Sequence, residues 1–520
     1  MSSSRALARA GLIVSGAFLV SRVPGWVRVV VIGNIFPPGP DFTAFVAAFR
    51  LPDVMFQLVA AGALSSAVIP IVAALLAKDE SARAWRVVST IANMMLVGLL
   101  ILGIVVLVAA PAITEAINPG FGPELVNRTV DLTRIMVLSP IFLALGSLIS
   151  SVLNARGRFA ASAIAPIVYN VAIIGAALVL TSSLGVIGLA VGVVAGSLAH
   201  LLVQVAPLRS LGFRYDRRID LDDLEARRAL KLMAPRALGL GAGQITFVVL
   251  GSVASTLGTA APALFYIAFT LLQIPIGVIG VPLGVVVLPT LSREAGLGNL
   301  HEFAALMSRA IRLILFVMLP ITGISIVLRS EIVGVMFGYT GEPLAVTAST
   351  LLAFLTGLTA HALIAILARA FFARHDTRTP LAAAILAVVI TSALAGALAG
   401  PFGLAGLGLA IAIAAWVETI VLIVLLRRSL PELAFRPLAS LGIRSLVVAI
   451  VGSLAAAGVL EGLKLALGPD PDRLDLVVRI VVVGLVWLLT SGAVAIVLRI
   501  DELRAMIELM VDLFRRPRRA

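Results

Sequence analysis

Fourteen predominantly apolar segments, each of twenty residues or more, follow one another from end to end of the chain. They run roughly over 10–36, 42–77, 84–111, 129–154, 161–182, 186–207, 229–255, 261–291, 304–328, 345–372, 380–399, 403–426, 440–463 and 475–498. About twenty helical residues cross a ~30 Å hydrocarbon core. Lipid offers no hydrogen bonds, so each crossing must satisfy its own backbone, and a helix does so within one segment. Barrel strands of ~10 alternating residues do not fit segments this long. The reading is an all-α integral membrane protein with about fourteen transmembrane helices. The second segment, 36 residues long, would extend about 54 Å as one helix. It is expected to tilt strongly or to break, with Pro52 supplying the break.

Charge sets the orientation. The net charge of +13 would suggest nucleic acid in a soluble chain, but here the excess falls in short loops and at the tail. One set of loops carries Lys78, Arg83, Arg86, Arg156, Arg158, Arg209, Arg293, Arg374, Arg427 and a cluster from Arg214 to Arg228. The alternate set carries only Arg128, Arg329, Lys464 and Arg473. The positive-inside rule places the first set, with both termini, in the cytoplasm. The first segment is long, contains arginine and lacks a small-residue cleavage site, so it reads as a span rather than a signal peptide. Cysteine is absent, which excludes disulfides and thiolate metal sites.

An internal repeat organises the spans. Residues 153–209 lie over 371–427 at a shift of 218, pairing Arg156 with Arg374, Gly185 with Gly403 and Arg209 with Arg427. Leu64–Pro70 resembles Leu283–Pro289 at a shift of 219. The offset covers six segments, an even number, so both copies face the same way across the membrane. Such parallel repeats predict two six-helix lobes with a substrate path between them. The expected domains are an N-terminal lobe (1–213), a cytoplasmic linker (214–227), a C-terminal lobe (228–430), two extra transmembrane helices (431–499) and a basic tail (500–520). In the tail, Ile500, Leu503, Ile507, Met510 and Phe514 share a helical stripe, read as an amphipathic helix on anionic lipid or as a frayed basic end.

Arg22, Arg28 and Arg50 lie deep in the first two segments. A charge at the bilayer centre costs at least ~2.5–3.5 kcal/mol. Two readings stand: a water-filled cavity that takes an anionic ligand, and structural pairing or snorkelling. Asp53 follows Arg50 by three residues and is placed to pair with it. Asp131 and Arg134 have the same spacing and read as a local ion pair. Arg236 sits a few residues inside the seventh segment and Arg369 near a cytoplasmic end, both interfacial by position. His361 and Glu418 are the only titratable side chains well inside the second lobe, candidates to carry a proton or bind a cation. With four histidines in all, no phosphate loop and no nucleophile constellation, the chain reads as a transporter and not an enzyme.

Six stretches resemble the MurJ/MviN family: Ser21–Arg28 (SRVPGWVR), Ala44–Asp53 (AFVAAFRLPD), Gly62–Pro70 (GALSSAVIP), Leu153–Pro166 (LNARGRFAASAIAP), Gly277–Ser292 (GVIGVPLGVVVLPTLS) and Phe371–Pro380 (FFARHDTRTP). Order and spacing match along roughly 1–500. The resemblance implies a two-lobe flippase of the bacterial inner membrane, with a cationic cavity for lipid II or a related polyprenyl-diphosphate glycolipid and a groove for the lipid tail on the last two helices. Membrane lipids and cell-wall synthesis proteins are the partners it implies, without nucleic acid. It implies no cofactor, only a coupling cation, H+ or Na+. Arg22, Arg28 and Arg50 fall on the family's basic cavity positions. Asp53 and Arg236 join them as candidate substrate-binding residues, with Glu418 and His361 for coupling. Departures stand at Val29, Thr43, Phe56-Gln57 and, in the second lobe, Phe269-Thr270, where the family carries an acidic–basic pair. The alternatives are a flippase for another polyprenyl-linked glycan and a non-transporting scaffold of cell-wall synthesis.

Overall fold

The computed structural model describes residues 22–59, 63–468, 471–504 and 506–508, without the side chains of 63–67, 230 and 232–243. Every element described is helical. In chain order they are α1 (22–35), α2 (Pro40–Val59), α3 (Ala63–Ala77), α4 (Ser81–Ile117), α5 (Pro123–Met136), α6 (Ser139–Ala155), α7 (Phe159–Val179), α8 (Thr181–Leu184), α9 (Val186–Arg209) and α10 (Leu224–Ser255). Then follow α11 (Ala261–Pro275), a π turn (Ile276–Gly280), α12 (Val281–Gly296), α13 (Leu300–Val327), α14 (Arg329–Phe337), α15 (Gly341–Leu355), α16 (Leu358–Ala373), α17 (Arg378–Ser429), α18 (Phe435–Leu467) and α19 (Arg473–Val497).

Among the described residues, ten helical runs are long and apolar enough to cross a membrane, and α15 with α16, bent by 41°, makes an eleventh. Twelve of the fourteen expected segments map onto these runs, all but the first and the seventh. The 52-residue α17 would reach about 78 Å as one rod. It holds two segments, joined at Gly403. The first segment is described only from residue 22, and the seventh forms α10. Large apolar side chains such as Val108 (76% exposed) and Leu454 (68%) line the outside. A soluble surface does not tolerate such a face, and lipid does.

The repeat is visible in the backbone. Gly185 has φ 55° and ψ −139°, and Gly403, its partner at the 218 shift, has φ 56° and ψ −138°. Three residues on, Gly188 packs against the Leu180 backbone and Gly406 against that of Leu398, again 218 apart.

Pro52 does not break the second segment. It lies buried inside α2, which runs on past it to Val59, and residues 60–62 ahead of α3 lie outside the described residues. Proline leaves the carbonyl four residues back, Ala48, without its helical partner. The Thr133 hydroxyl of α5 lies 3.5 Å from that oxygen while also donating to Thr129 at 2.8 Å. Threonine hydroxyls re-satisfy freed carbonyls in this way within membranes.

By contact the chain falls into two compact units, Ser21–Ala263 and a second that begins at Leu264. The first contains α10, so the start of the expected C-terminal lobe packs on α2, α3 and α4. The linker ahead of α10 is strapped along α4. Phe213 meets Trp85 edge-on at 5.5 Å. Asn93 donates to the carbonyls of Asp216 and Arg218, and Ser89 and Thr90 accept from the backbone of Asp216 and Asp220. Asp223 then caps α10, accepting from the Glu225 and Ala226 N–H groups and from Arg83 Nε at 2.7 Å. Burial raises the Asp223 pKa, but the Arg83 bond and the two backbone donors outweigh it, holding the carboxyl below its ordinary range.

In the second unit, Ile500 packs with Phe316, Leu441, Val448 and Ala495, with Leu503 and Met506 against them. The start of the predicted tail stripe is therefore covered by protein. Residues 509–520 lie outside the described residues.

Candidate functional site

The arginines of the first two segments all belong to the first unit. Arg22 opens the described part of α1 and is exposed. Six residues on, Arg28 is half-buried, its guanidinium 5.7 Å from the Tyr169 ring centroid on α7. Aromatic faces attract guanidinium at this range. Gly25, between them, brings α1 against the Asn170 amide, which a Cβ would meet at 3.9 Å.

Arg50 has a closer seat. Its Nη1 donates to Asn118 Oδ1 at 3.2 Å, where Asn118 ends α4 and holds the Thr114 carbonyl through both its backbone N–H and its side-chain amide. On its other side lies Gly251 of α10. A Cβ at that position would stand 2.0–2.1 Å from the Arg50 guanidinium atoms. The absent side chain is the space the arginine occupies.

Asp53 does not pair with Arg50. It hydrogen-bonds the Gln57 side chain one turn on, and Arg50 reaches instead to α4 and α10. Among the described residues no carboxylate forms an ion pair with Arg50. Among the described residues its charge stands against one neutral amide, that of Asn118. Asp131 and Arg134 are likewise unpaired with each other: Arg134 donates to the Leu107 carbonyl, and the ion pairs nearby join Arg128 to Asp41 and Glu124.

Arg28 and Arg50 occupy different neighbourhoods, α1 with α7 and α2 with α4 and α10. The Arg236 side chain lies outside the described residues, although its position is within α10. At one of the family-pattern departures, Thr43 is fully buried and donates to the Thr259 carbonyl at 2.7 Å.

In the second unit, Phe269 is packed with Phe265 and Phe354, at centroid distances of 6.4 and 5.7 Å. The Thr270 hydroxyl turns back to the Tyr266 carbonyl at 2.8 Å. An aromatic cluster thus fills the place where the resemblance leads one to look for a charged pair. His361 and Glu418 flank one helix crossing: Thr419 of α17 donates to the Ala360 carbonyl of α16 at 3.2 Å. The His361 Nε2 is buried with no hydrogen-bond partner.

Sequence reasoning missed Asn118, Tyr169 and Gly251, and it set Arg369 aside. Arg369 lies across Gly284 of α12, where a Cβ would stand 2.6 Å from its Nε, and donates to the Ala365 carbonyl. Each unit therefore seats one intramembrane arginine over a glycine of a neighbouring helix. The signal available in the sequence was an arginine and a helix-interior glycine, without the pairing between them.

A family profile described as "Lipid II flippase MurJ" matches residues 32–468. The chain is 30% identical over 435 residues to the "Lipid II flippase MurJ" of Burkholderia cenocepacia, covering 81% of this chain and 84% of that one. It is similar to a solved "Lipid II flippase MurJ, inward closed conformation", with TM-score 0.77, 22% identity, and coverage of 94% of this chain and 99% of that one. It is also similar in fold to an inward-facing multidrug resistance MATE family transporter of the MOP superfamily, with TM-score 0.67, 18% identity, and coverage of 81% and 98%.

Proposed function

The chain belongs to the MurJ family of lipid II flippases, and from that premise we propose that it carries lipid II from the inner to the outer leaflet by alternating access, with Arg22, Arg28 and Arg50 as its diphosphate-binding face. Members of this multi-pass membrane family are transporters, not enzymes. The observation that carries the site assignment is the Arg50 guanidinium, seated over Gly251 inside the membrane with a neutral amide and no carboxylate. Guanidinium forks match phosphate oxygens in pairs, and an intramembrane cation is by default the mark of a substrate path.

The working cycle follows from charge and topology. Two six-helix lobes, 1–213 and 228–430, alternate access while the helices of 431–499 stay in lipid with the polyprenyl tail. Both termini and the 500–520 tail lie on the cytoplasmic side of the bacterial inner membrane. With the interior negative, each outward-moving anionic charge gains ~2.3 kcal/mol per 100 mV, so a doubly charged diphosphate gains about twice that. Asp53 and Arg236 flank the substrate site. Glu418 and His361, each next in sequence to one partner of the Thr419–Ala360 bond between α17 and α16, are the candidates for the proton or cation that resets the empty site.

The aromatic packing of Phe269 favours a second reading, a flippase for a different polyprenyl-linked glycan, because that stretch of the second lobe offers a headgroup no charge. Complementation tests both. A strain depleted of its own lipid II flippase should grow when it carries this chain and stop growing with Arg28→Ala or Arg50→Ala at equal membrane levels. Growth with the arginine variants would overturn the site. Failure of the unaltered chain, correctly inserted, would favour the other glycan.

A further inference from the structure

A cavity of about 200 Å³ opens in the second unit where the apolar segment of α18 begins. Arg312 of α13, Ser440 and Arg444 of α18, and Arg499, Asp501 and Glu502 just beyond α19 line it. Arg312 is engaged, its Nε donating to Glu502 Oε1. The other carboxylate oxygen, Oε2, is buried without a hydrogen-bond partner. Arg444 and Arg499 are exposed and form no ion pair among the described residues.

The backbone makes a point of Arg499. Its N–H donates to the Ile496 carbonyl and the Ile500 N–H to that of Ala495, the bond pattern of a helix ending on a left-handed residue. Glycine is the usual occupant of that position. Here an arginine holds it at φ 52°. A side chain kept in an unfavourable backbone region beside a cavity points to function.

Ser440, Arg444, Val447, Val451 and Leu454 follow one another at spacings of four and three, one continuous face of α18. Val447, Val451 and Leu454 are 39%, 41% and 68% exposed. From Arg444 to Leu454 the helix rises about 15 Å, half of a ~30 Å core and so the depth of one leaflet. The cavity is open on one side and has room for a phosphodiester headgroup.

We propose that this cavity binds the headgroup of an anionic glycerophospholipid of the phosphatidylglycerol type. The phosphodiester lies on Arg444 and Arg499 beside Ser440, and an acyl chain runs along Val447, Val451 and Leu454. The basic residues of this site are separate from those of the substrate reading, whose arginines belong to the first unit.

The test uses the full chain in nanodiscs of equimolar phosphatidylglycerol and phosphatidylethanolamine, with retained lipids counted by native mass spectrometry after extraction. The unaltered protein should retain phosphatidylglycerol preferentially. Arg444→Gln with Arg499→Gln should cut that retention about twenty-five-fold, from roughly fivefold per basic side chain at an anionic surface. Arg309→Gln, an exposed arginine of α13 that does not line the cavity, should leave it unchanged. Millimolar inorganic phosphate should not displace the lipid; displacement would make this a free-phosphate site and overturn the proposal. Equal retention of both lipids, or full retention by the double variant at an unchanged melting temperature, would also overturn it.

Discussion

Arg50 of α2 and Gly251 of α10, 201 residues apart, share one space: the guanidinium lies where a Cβ on the glycine would stand. The contact fixes the arginine within the membrane on a wall that contributes no charge. Gly251→Leu should therefore behave as an Arg50 variant. The far end of an arginine side chain moves easily, so insertion and folding should survive while transport falls about ten- to a hundredfold, the scale of one lost charged hydrogen bond. Transport in a complementation or flipping assay, normalised to membrane protein level, measures it.

The contact of Thr133 with the Ala48 carbonyl answers the amide missing at Pro52. Thr133→Val should destabilise the protein by about 0.6 kcal/mol and at most ~1.7, the range of such bonds in membranes. In a Pro52→Ala background, the substituted alanine supplies its own N–H to the Ala48 carbonyl and the cost should shrink. A double-mutant cycle in detergent unfolding reads the coupling. Equal costs in both backgrounds would show that Thr133 does not serve that carbonyl.

Gly185 and Gly403 hold backbone angles that other residues avoid. Alanine at either position should cost about 1–3 kcal/mol, and by similar amounts, since the two conformations agree within about a degree. Thermal unfolding of the two single variants compares them.

The Asp223 carboxyl is held below its ordinary pKa by Arg83 and the first turn of α10. A depressed folded-state pKa contributes stability above the unfolded value of ~3.9, and that contribution is lost as pH falls through the folded one. Linker proteolysis should thus be slow and level near neutral pH and accelerate below about pH 4. Asp223→Asn should be cleaved faster at neutral pH and show a flatter acid limb.

The span pattern was legible because lipid imposes one rule on every segment, and apolar length obeys it. The repeat was legible at Gly185 and Gly403, where only glycine suits the turn. Local readings failed where a distant residue intervened. Pro52 looked like a break because the Thr133 hydroxyl cannot be seen from α2. Arg50 looked paired with Asp53 because three residues is the nearest spacing, whereas its hydrogen bond goes to Asn118 at the end of α4 and its guanidinium lies over Gly251 of α10. Phe269 and Thr270 stood out in the sequence as uncharged, but the packing of Phe269 against Phe354 and the bond of Thr270 to Tyr266 needed coordinates.

In the function proposed above, arginines of the first unit carry a diphosphate lipid across the membrane. The decisive quantity is the leaflet accessibility of lipid II in cells depleted of their own flippase and carrying this chain. Lipid II should reach the outer leaflet with the unaltered chain and stay in the inner leaflet with Arg28→Ala or Arg50→Ala at equal membrane levels. Outer-leaflet lipid II restored equally by those variants would contradict that role for the arginines.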